Sequence, residues 1–176
     1  MARQSTASRL VSGWLAALAF AVSAGTLVGC GSDVDVTTSL QVTDVLTGWF
    51  DAGVTGGKNK LVPSVSFKVK NIGRVPVSSV QFNAVFRVIN DPEELGSMLV
   101  KGIDAKGLQP GESTPDLVLR SSLGYTGEQT RIEMLQHSAF RDAQVEIFAK
   151  HGSRQWVKLG DYKVERQLLT TNVLAK

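Results

Sequence analysis

The sequence predicts an all-β domain, an antiparallel sandwich of about seven short strands, behind an N-terminal export segment. Apolar and polar residues alternate with period two through most of the chain after residue 30, and turn residues separate the alternating stretches. No regular succession of strands and long helices, which a parallel sheet would need, is visible. A single cysteine among 176 residues rules out an internal disulfide framework, so an apolar core must stabilise the domain.

The first 29 residues have the pattern of a secretory signal peptide. Arg3 and Arg9 precede any acidic residue, and a mostly apolar run follows over residues 10–28. This is the order of a charged and then an apolar signal region. A membrane-spanning anchor is the alternative, because such a run is nearly long enough to cross a bilayer. Its Ala, Gly and Ser content and the missing basic flank favour a cleaved segment.

The apolar run ends in Leu27-Val28-Gly29-Cys30, which resembles the bacterial lipobox. The resemblance implies cleavage between Gly29 and Cys30, and a diacylglycerol joined to the Cys30 sulfur. The membrane is then a partner of the chain through that lipid. Gly31 supplies no aspartate signal for inner-membrane retention, so the outer membrane is slightly favoured in a host with two membranes. The mature protein faces the periplasm or the exterior.

Charge argues against nucleic acid as a partner. Removal of residues 1–29 leaves 147 of the 176 residues and lowers the formal net charge from +3 to +1, because Arg3 and Arg9 are lost. The remaining Lys and Arg residues are spread along the chain and form no basic block.

The first half of the mature chain predicts a short tether and then strands. Residues 30–35 are interpreted as the lipidated start and tether of a sandwich domain at 36–167. Alternation from Val34 to Val42 predicts a first strand, and the glycine-rich stretch 49–60 is typical of a loop. The clearest pair of strands follows, and a short Asn/Gly/Pro connection predicts that the two form a hairpin. These strands are 65–69 and 80–88.

The second half predicts further strands around one irregular segment. Helical spacing of apolar residues allows one or two helical turns within residues 122–141. A bulge is expected at Gly160-Asp161, and residues 168–176 are expected to fray. The predicted strands are 95–101 at an edge, 117–120, 145–149 and 155–165.

Two stretches resemble the bacterial extracytoplasmic immunoglobulin-like domains of the FxLYD kind. One runs from Val65 through Asn71-Ile72-Gly73 to Phe86, and the other is the turn at 108–113. The resemblance implies an immunoglobulin-like sandwich, with the motifs marking turns and core. Residues 90–96 form a longer turn than the family has, and 125–141 look inserted. The family has no common catalytic residues, so the resemblance implies no active site.

Catalytic residue types are few. His137 lies beside Ser138 and near Asp142, and a hydrolase using His137 or the loop carboxylates of residues 91–94 is the enzymatic alternative. His151 is expected to be a solvated turn residue. Neither histidine has a ligand at zinc spacing, and the loop carboxylates match no EF-hand pattern. We therefore expect no enzyme activity, no metal and no cofactor.

One group of aromatic residues is a possible binding surface. Trp49, Phe50 and Tyr125 lie in or near irregular segments, where recognition often occurs. The favoured alternative is that Trp49 and Phe50 cap one end of the sandwich. The sequence thus predicts a lipid-anchored envelope protein with a non-catalytic interaction or structural module. An envelope protein or a glycan is its expected partner, and a small molecule or glycan bound through the Trp49–Tyr125 region is a further alternative.

Overall fold

A computed structural model describes residues 34–169. The predicted signal peptide, Cys30 and residues 170–176 lie outside the described part of the chain. Strands make up most of residues 34–169. Their bounds, with those of two short helices, are α1 Val36–Ser39, β1 Leu40–Thr55, β2 Lys58–Asn71, β3 Val80–Val88, β4 Glu94–Ile103, β5 Leu117–Arg120, β6 Tyr125–Gly127, α2 Arg131–Gln136, β7 Ala143–His151, β8 Val157–Val164 and β9 Leu168–Leu169.

The strands form two sheets that pack face to face, so the predicted β-sandwich is confirmed. The first sheet has the order β5-β2-β1-β9, with β6 also paired to β2, and the second has the order β4-β3-β7-β8. All pairings among them are antiparallel except that between β1 and β9. Phe67 of the first sheet meets Phe82 of the second edge to face, with ring centroids 6.1 Å apart. Both rings are fully buried in the core.

The connections between strands gather at two ends of the sandwich. The end at which residue 34 joins the domain is called the tether end here, and the opposite end is the far end. Residues 34–39, 72–79, 104–116 and 152–156 form the tether end, and residues 56–57, 89–93, 121–142 and 165–167 form the far end. The fourteen residues of β2 separate the two ends by roughly 40 Å.

The start of the domain differs from the predicted strand at 34–42. Val36–Ser39 make one helical turn, because the Asp35 carboxylate caps it by accepting a hydrogen bond of 2.9 Å from the Thr37 amide. The strand begins only at Leu40. Val34 and Val36 are buried, at 7% and 5% exposed, so Val34 already packs into the core.

The prediction of a loop at residues 49–60 is wrong. β1 continues to Thr55, and β2 begins at Lys58, so only Gly56 and Gly57 form the turn. Both glycines have positive φ, which suits a tight hairpin turn. The glycines of this stretch belong to a two-residue turn, Gly56-Gly57, and to a register shift in β1 between Asp51 and Val54, rather than to a long loop.

The predicted hairpin of strands 65–69 and 80–88 is also wrong. Both strands exist, but β2 pairs with β1 and β5, while β3 pairs with β4 and β7 in the other sheet. The connection 72–79 crosses from one sheet to the other. Alternation showed that each strand has a buried face, and both faces border the same core.

The other predicted elements are confirmed with small changes. β4 is an edge strand, and α2 supplies the helical turns expected within 122–141. The bulge lies at Leu159, one residue earlier than predicted, because Gly160 pairs with Ile147 and Lys158 with Phe148.

The C-terminal segment does not fray from residue 168. Leu168 and Leu169 pair with Trp49 and Phe50 of β1. Leu169 is buried over Gly48, where an added Cβ would come within 2.7 Å of Leu169 Cγ. Gly48 therefore leaves the space in which Leu169 packs.

Candidate functional site

Three aromatic rings meet at the far end of the sandwich. Trp49 comes from β1, Tyr125 from β6, and Phe140 from the segment after α2. The Trp49 ring lies 5.4 Å from that of Tyr125 and 4.7 Å from that of Phe140, and the last two are 4.9 Å apart. Trp49 is the fully buried member of this cluster.

The structure separates Phe50 from the other two residues of the predicted binding surface. Successive side chains of a strand point to opposite faces, so Phe50 lies on the other face of the sheet from Trp49. The Arg120 guanidinium carbon stacks 3.7 Å from the centre of the Phe50 ring. Of the predicted trio, the structure brings together Trp49 and Tyr125, with Trp49 in the core.

A small open cleft lies beside this aromatic cluster and is called the far-end cleft. Its volume is about 140 Å³. It is lined by residues of β6, the connection to α2, α2 itself and the segment after it: Tyr125, Thr126, Gly127, Gln129, Met134, His137, Ala139 and Phe140. Met134 and Phe140 were not singled out from the sequence, although Met134 lies beside Leu135 and Phe140 beside Ala139 in a mostly polar segment.

The α2 helix forms one side of the cleft. Thr130 and Glu133 make a capping box, in which the Thr130 amide donates to the Glu133 carboxylate over 2.9 Å. This hydrogen bond lowers the pKa of Glu133 below its ordinary value. Met134 and Leu135 are buried on the inner side of the helix. The helix is short, so its cap and buried side chains hold it in place.

Arg166 fixes the segment that follows α2. Its Nε donates to Asp142 Oδ1 over 2.6 Å, and its two terminal nitrogens donate to the carbonyl oxygens of Leu135 and Phe140 over 3.2 and 2.8 Å. The guanidinium carbon also lies 5.3 Å from the Phe140 ring centre. One side chain thereby holds both boundaries of the 135–142 segment and one wall of the cleft.

The bond from Arg166 makes a pH-dependent contribution to stability. It is the main cause that lowers the pKa of Asp142 below the ordinary 3.8. A carboxyl group whose pKa is lower in the folded state stabilises the fold above its unfolded pKa. That contribution is lost as the pH falls through the folded-state pKa.

We expect Asp142→Asn to reduce the free energy of unfolding at neutral pH by roughly 1 kcal/mol. The difference from wild type should shrink as the pH falls below 3.8, because the wild-type carboxyl then becomes neutral too. Urea denaturation at both pH values measures this. Asp161→Asn is the matched control, since Asp161 pairs with Lys158 at a more exposed position. A difference of the same size in acid would show that the charge of Asp142 is not its source.

The residues named for the alternative hydrolase make other contacts. His137 ends α2, and its Nδ1 accepts a hydrogen bond of 3.1 Å from the Ala139 amide. Within residues 34–169 no hydrogen bond joins His137 to Asp142, which Arg166 holds instead. We derive no catalytic step from this arrangement.

The loop carboxylates are likewise paired with arginines. Arg141 bonds to Asp91 over 2.5 Å and to Glu93 over 3.3 Å, while Glu94 lies 3.7 Å from Arg87. The bond from the Glu93 amide, followed by that from Arg141, lowers the pKa of Asp91. Over the described part of the chain, no cluster of three or more His, Cys, Asp or Glu side chains is suited to a metal ion.

Two polar groups of the aromatic cluster are buried and have no hydrogen-bond partner among residues 34–169. They are the Trp49 indole nitrogen and the Tyr125 hydroxyl. Burial also raises the pKa of Tyr125. An unpartnered buried donor costs free energy, and neither atom is exposed at the surface of the cleft.

Neither a protein-family model nor a curated protein matches the sequence. Solved structures match the chain with low sequence identity and low TM-scores. The X-ray structure of Northeast Structural Genomics Consortium target SoR45 has 12% identity and a TM-score of 0.43, over 80% of this chain and 93% of its own. A protein from Archaeoglobus fulgidus has 15% identity and a TM-score of 0.37, over 71% and 98%. Neither similarity extends to a function.

Proposed function

We propose that the protein is a cell-envelope lipoprotein, held on a membrane by lipid on Cys30, whose β-sandwich is a non-catalytic interaction or structural module. The observation that carries the proposal is the sequence Leu27-Val28-Gly29-Cys30 directly after an apolar run, on the only cysteine of the chain. Lipidation would remove a free thiol that an exported protein would otherwise expose to oxidation. Its partners are the membrane and an envelope protein or glycan.

Physical chemistry supports a lasting anchor of this kind. Each buried methylene contributes about 0.8 kcal/mol, so one acyl chain binds reversibly while two or three hold a protein on the bilayer. Neither helix within residues 34–169 is long and apolar enough to cross a membrane. The sandwich core, which needs no disulfide, suits the exported domain.

Cys30→Ala is expected to abolish membrane attachment when the full chain is expressed in a bacterium. Wild type should lose residues 1–29, gain the mass of a diacylglyceryl group, and fractionate with membranes. The variant has no thiol to modify and should gain no such mass. Intact mass spectrometry and membrane fractionation measure both. Retention of the full precursor in the membrane by both proteins would contradict the proposal and identify residues 10–28 as an anchor.

The far-end cleft favours a second candidate function, the binding of a small molecule or glycan. The observation behind it is an open cleft lined by the Tyr125 and Phe140 rings and by three polar residues, Thr126, Gln129 and His137. Aromatic faces and a few fixed polar groups are the usual lining of such sites.

Titration with an N-acetylglucosamine oligosaccharide tests this candidate through tryptophan fluorescence. We expect a saturable change for wild type because Trp49 contacts Tyr125, and weaker binding for Tyr125→Ala, which removes one aromatic wall of the cleft. Tyr162→Ala is the matched control, since Tyr162 lies on β8 away from the cleft. A flat titration of wild type excludes this class of glycan.

A further inference from the structure

We propose that the tether end of the sandwich lies against the bilayer surface, with the side chains of Ile72, Val75 and Trp156 in the interfacial region. The inference rests on the proposed lipidation of Cys30 and adds an orientation and a second membrane contact. Three independent properties of the tether end support it: the short tether, exposed apolar side chains on fixed loops, and a nearly balanced set of charges.

The tether is too short to let the domain move away from the membrane. Val34 and Val36 are 7% and 5% exposed and belong to the core. Only residues 31–33 separate Val34 from Cys30. Four fully extended peptide steps span at most about 14 Å. The headgroup region of one leaflet is itself about 5–8 Å thick. A lipid on Cys30 would therefore hold the tether end at or within the headgroups.

The first loop of this end presents apolar side chains on a fixed backbone. Ile72 and Val75 are 52% and 40% exposed. The amides of Ile72 and Gly73 both donate to the Ser39 carbonyl, at 2.9 and 3.3 Å, which joins the loop to α1. The Asn71 side chain donates to the Val75 carbonyl over 2.9 Å. These bonds place the two apolar residues beside the helical turn through which the chain leaves the tether.

The second loop contributes Trp156, which is 37% exposed. The adjacent Gln155 lines a hollow together with Val34 and Val36, so this loop also borders the start of the domain. The Lys150 ammonium lies 5.8 Å from the centre of the Trp156 ring. Tryptophan beside lysine or arginine is characteristic of the membrane–water interface, where the ring meets the acyl boundary and the cation meets phosphates.

The charges indicate that apolar contact, rather than electrostatic attraction, is the main term. Arg74 and Arg154 lie in the two loops that carry the apolar side chains. The neighbouring connection 104–116 carries Lys106, but also two exposed acidic residues, Asp104 and Glu112, and the partly exposed Asp116. The electrostatic attraction between anionic lipid and this end is therefore small, and membrane binding through the proposed contact should depend only weakly on salt.

The far end provides an internal comparison. Leu123 and Ile132 are 55% and 60% exposed there, as much as the apolar residues of the tether end. The two ends are roughly 40 Å apart, so a domain whose tether end lies on the bilayer holds Leu123 and Ile132 away from the lipid. Exposure alone does not distinguish the two ends, and the position of the tether does.

Brominated lipids test the orientation. The lipidated protein is purified from bacterial membranes and reconstituted into phosphatidylcholine–phosphatidylglycerol vesicles, with and without phosphatidylcholine brominated near the headgroup end of its acyl chains. The mature chain contains two tryptophans, Trp49 and Trp156. The emission of Trp156 is the difference between wild type and Trp156→Phe, and the buried Trp49 remains as an internal reference.

We expect brominated lipid to remove most of the Trp156 emission and to leave Trp156→Phe unchanged. The double variant Ile72→Ser, Val75→Ser should weaken the quenching, and the matched far-end variant Leu123→Ser, Ile132→Ser should not. Intact mass on the same samples reports the proposed function separately. If the mass shows the lipid and Trp156 is not quenched, the orientation is overturned while the anchor stands. If the mass shows no lipid, the proposed function fails, and the orientation falls with it.

Discussion

Replacement of Trp49 by alanine is expected to lower the free energy of unfolding by about 3–5 kcal/mol. Trp49 is fully buried and touches the rings of both Tyr125 and Phe140. Removal of the indole leaves a cavity between the first sheet and the segment after α2, and that segment is too short to collapse into it. Chemical denaturation of the mature protein, followed by circular dichroism, measures the loss.

Trp156→Ala is the matched control for this experiment. The chemical change is identical, but Trp156 is 37% exposed at the tether end, so we expect a loss of less than about 1 kcal/mol. Equal losses for the two variants would contradict the placement of Trp49 in the core. We also expect faster hydrogen exchange at the Phe140 amide in Trp49→Ala, because the ring that supports this residue is gone.

Replacement of Asn71 by alanine is expected to cost about 3 kcal/mol. The side chain is fully buried and donates to the carbonyl oxygens of Val75 and Leu108, over 2.9 and 2.8 Å. Its own oxygen accepts from the Gly73 amide over 2.9 Å. Alanine can make none of these three hydrogen bonds. The Gly73 amide keeps its bond to the Ser39 carbonyl and the Leu108 carbonyl keeps its bond from the Val77 amide, so the expected cost is that of the three lost bonds, about 1 kcal/mol each. Thermal or chemical denaturation measures the effect.

Two further variants show whether the amide group itself is responsible. Asn83→Ala makes the same change on β3 at a partly exposed position, where no side-chain bond is formed within the described residues, and should cost less than about 0.5 kcal/mol. Asn71→Asp keeps the shape but places a carboxylate oxygen against two carbonyl oxygens. It should be at least as damaging as Asn71→Ala. A stable Asn71→Asp protein would show that these bonds do not hold the tether end.

The sequence predicted burial well and pairing poorly. Alternation identified β3 and β7, because each has one face in the core and one outside it. Alternation does not contain the identity of the partner strand, and the assumption that successive strands pair failed for β2 and β3. β2 also has few exposed positions, and every residue from Leu61 to Phe67 is buried. The alternating signal was therefore strong only in its middle.

The turn motifs were visible in the sequence, but their contact was not. Asn71-Ile72-Gly73 and Pro110-Gly111-Glu112 were each recognised as turns. In the fold the backbone N–H of Asn71 donates to the Glu112 carbonyl, and the backbone N–H of Gly111 donates to the backbone carbonyl of Asn71. Residues about 40 positions apart thus complete each other's backbone bonds. A pattern of residue types within one short window contains no information about such a partner.

The candidate site was predicted only in part for a similar reason. Trp49 and Tyr125 were named together as part of a possible binding surface, and in the structure their ring centroids lie 5.4 Å apart. Phe50 was included because it is adjacent in sequence, yet adjacent residues of a strand face opposite ways. Phe140 was missed because its place depends on Arg166, which reaches it from the end of β8. Phe50 was included because of its proximity to Trp49 in the sequence. The contact between Arg166 and Phe140 could not be predicted, because the two residues are distant in the sequence.

The order of the strands also affects the time that the chain needs to fold. β3 lies between β4 and β7, with Val80 opposite His151, and β1 pairs with β9 across more than a hundred residues. Neighbours this distant in sequence must close large loops before their contacts form, which places folding in the range of milliseconds to seconds. Helical domains fold far faster. A chain that crosses a membrane in an extended state gains from this delay, because the sandwich cannot close before its last strands have been translated and released.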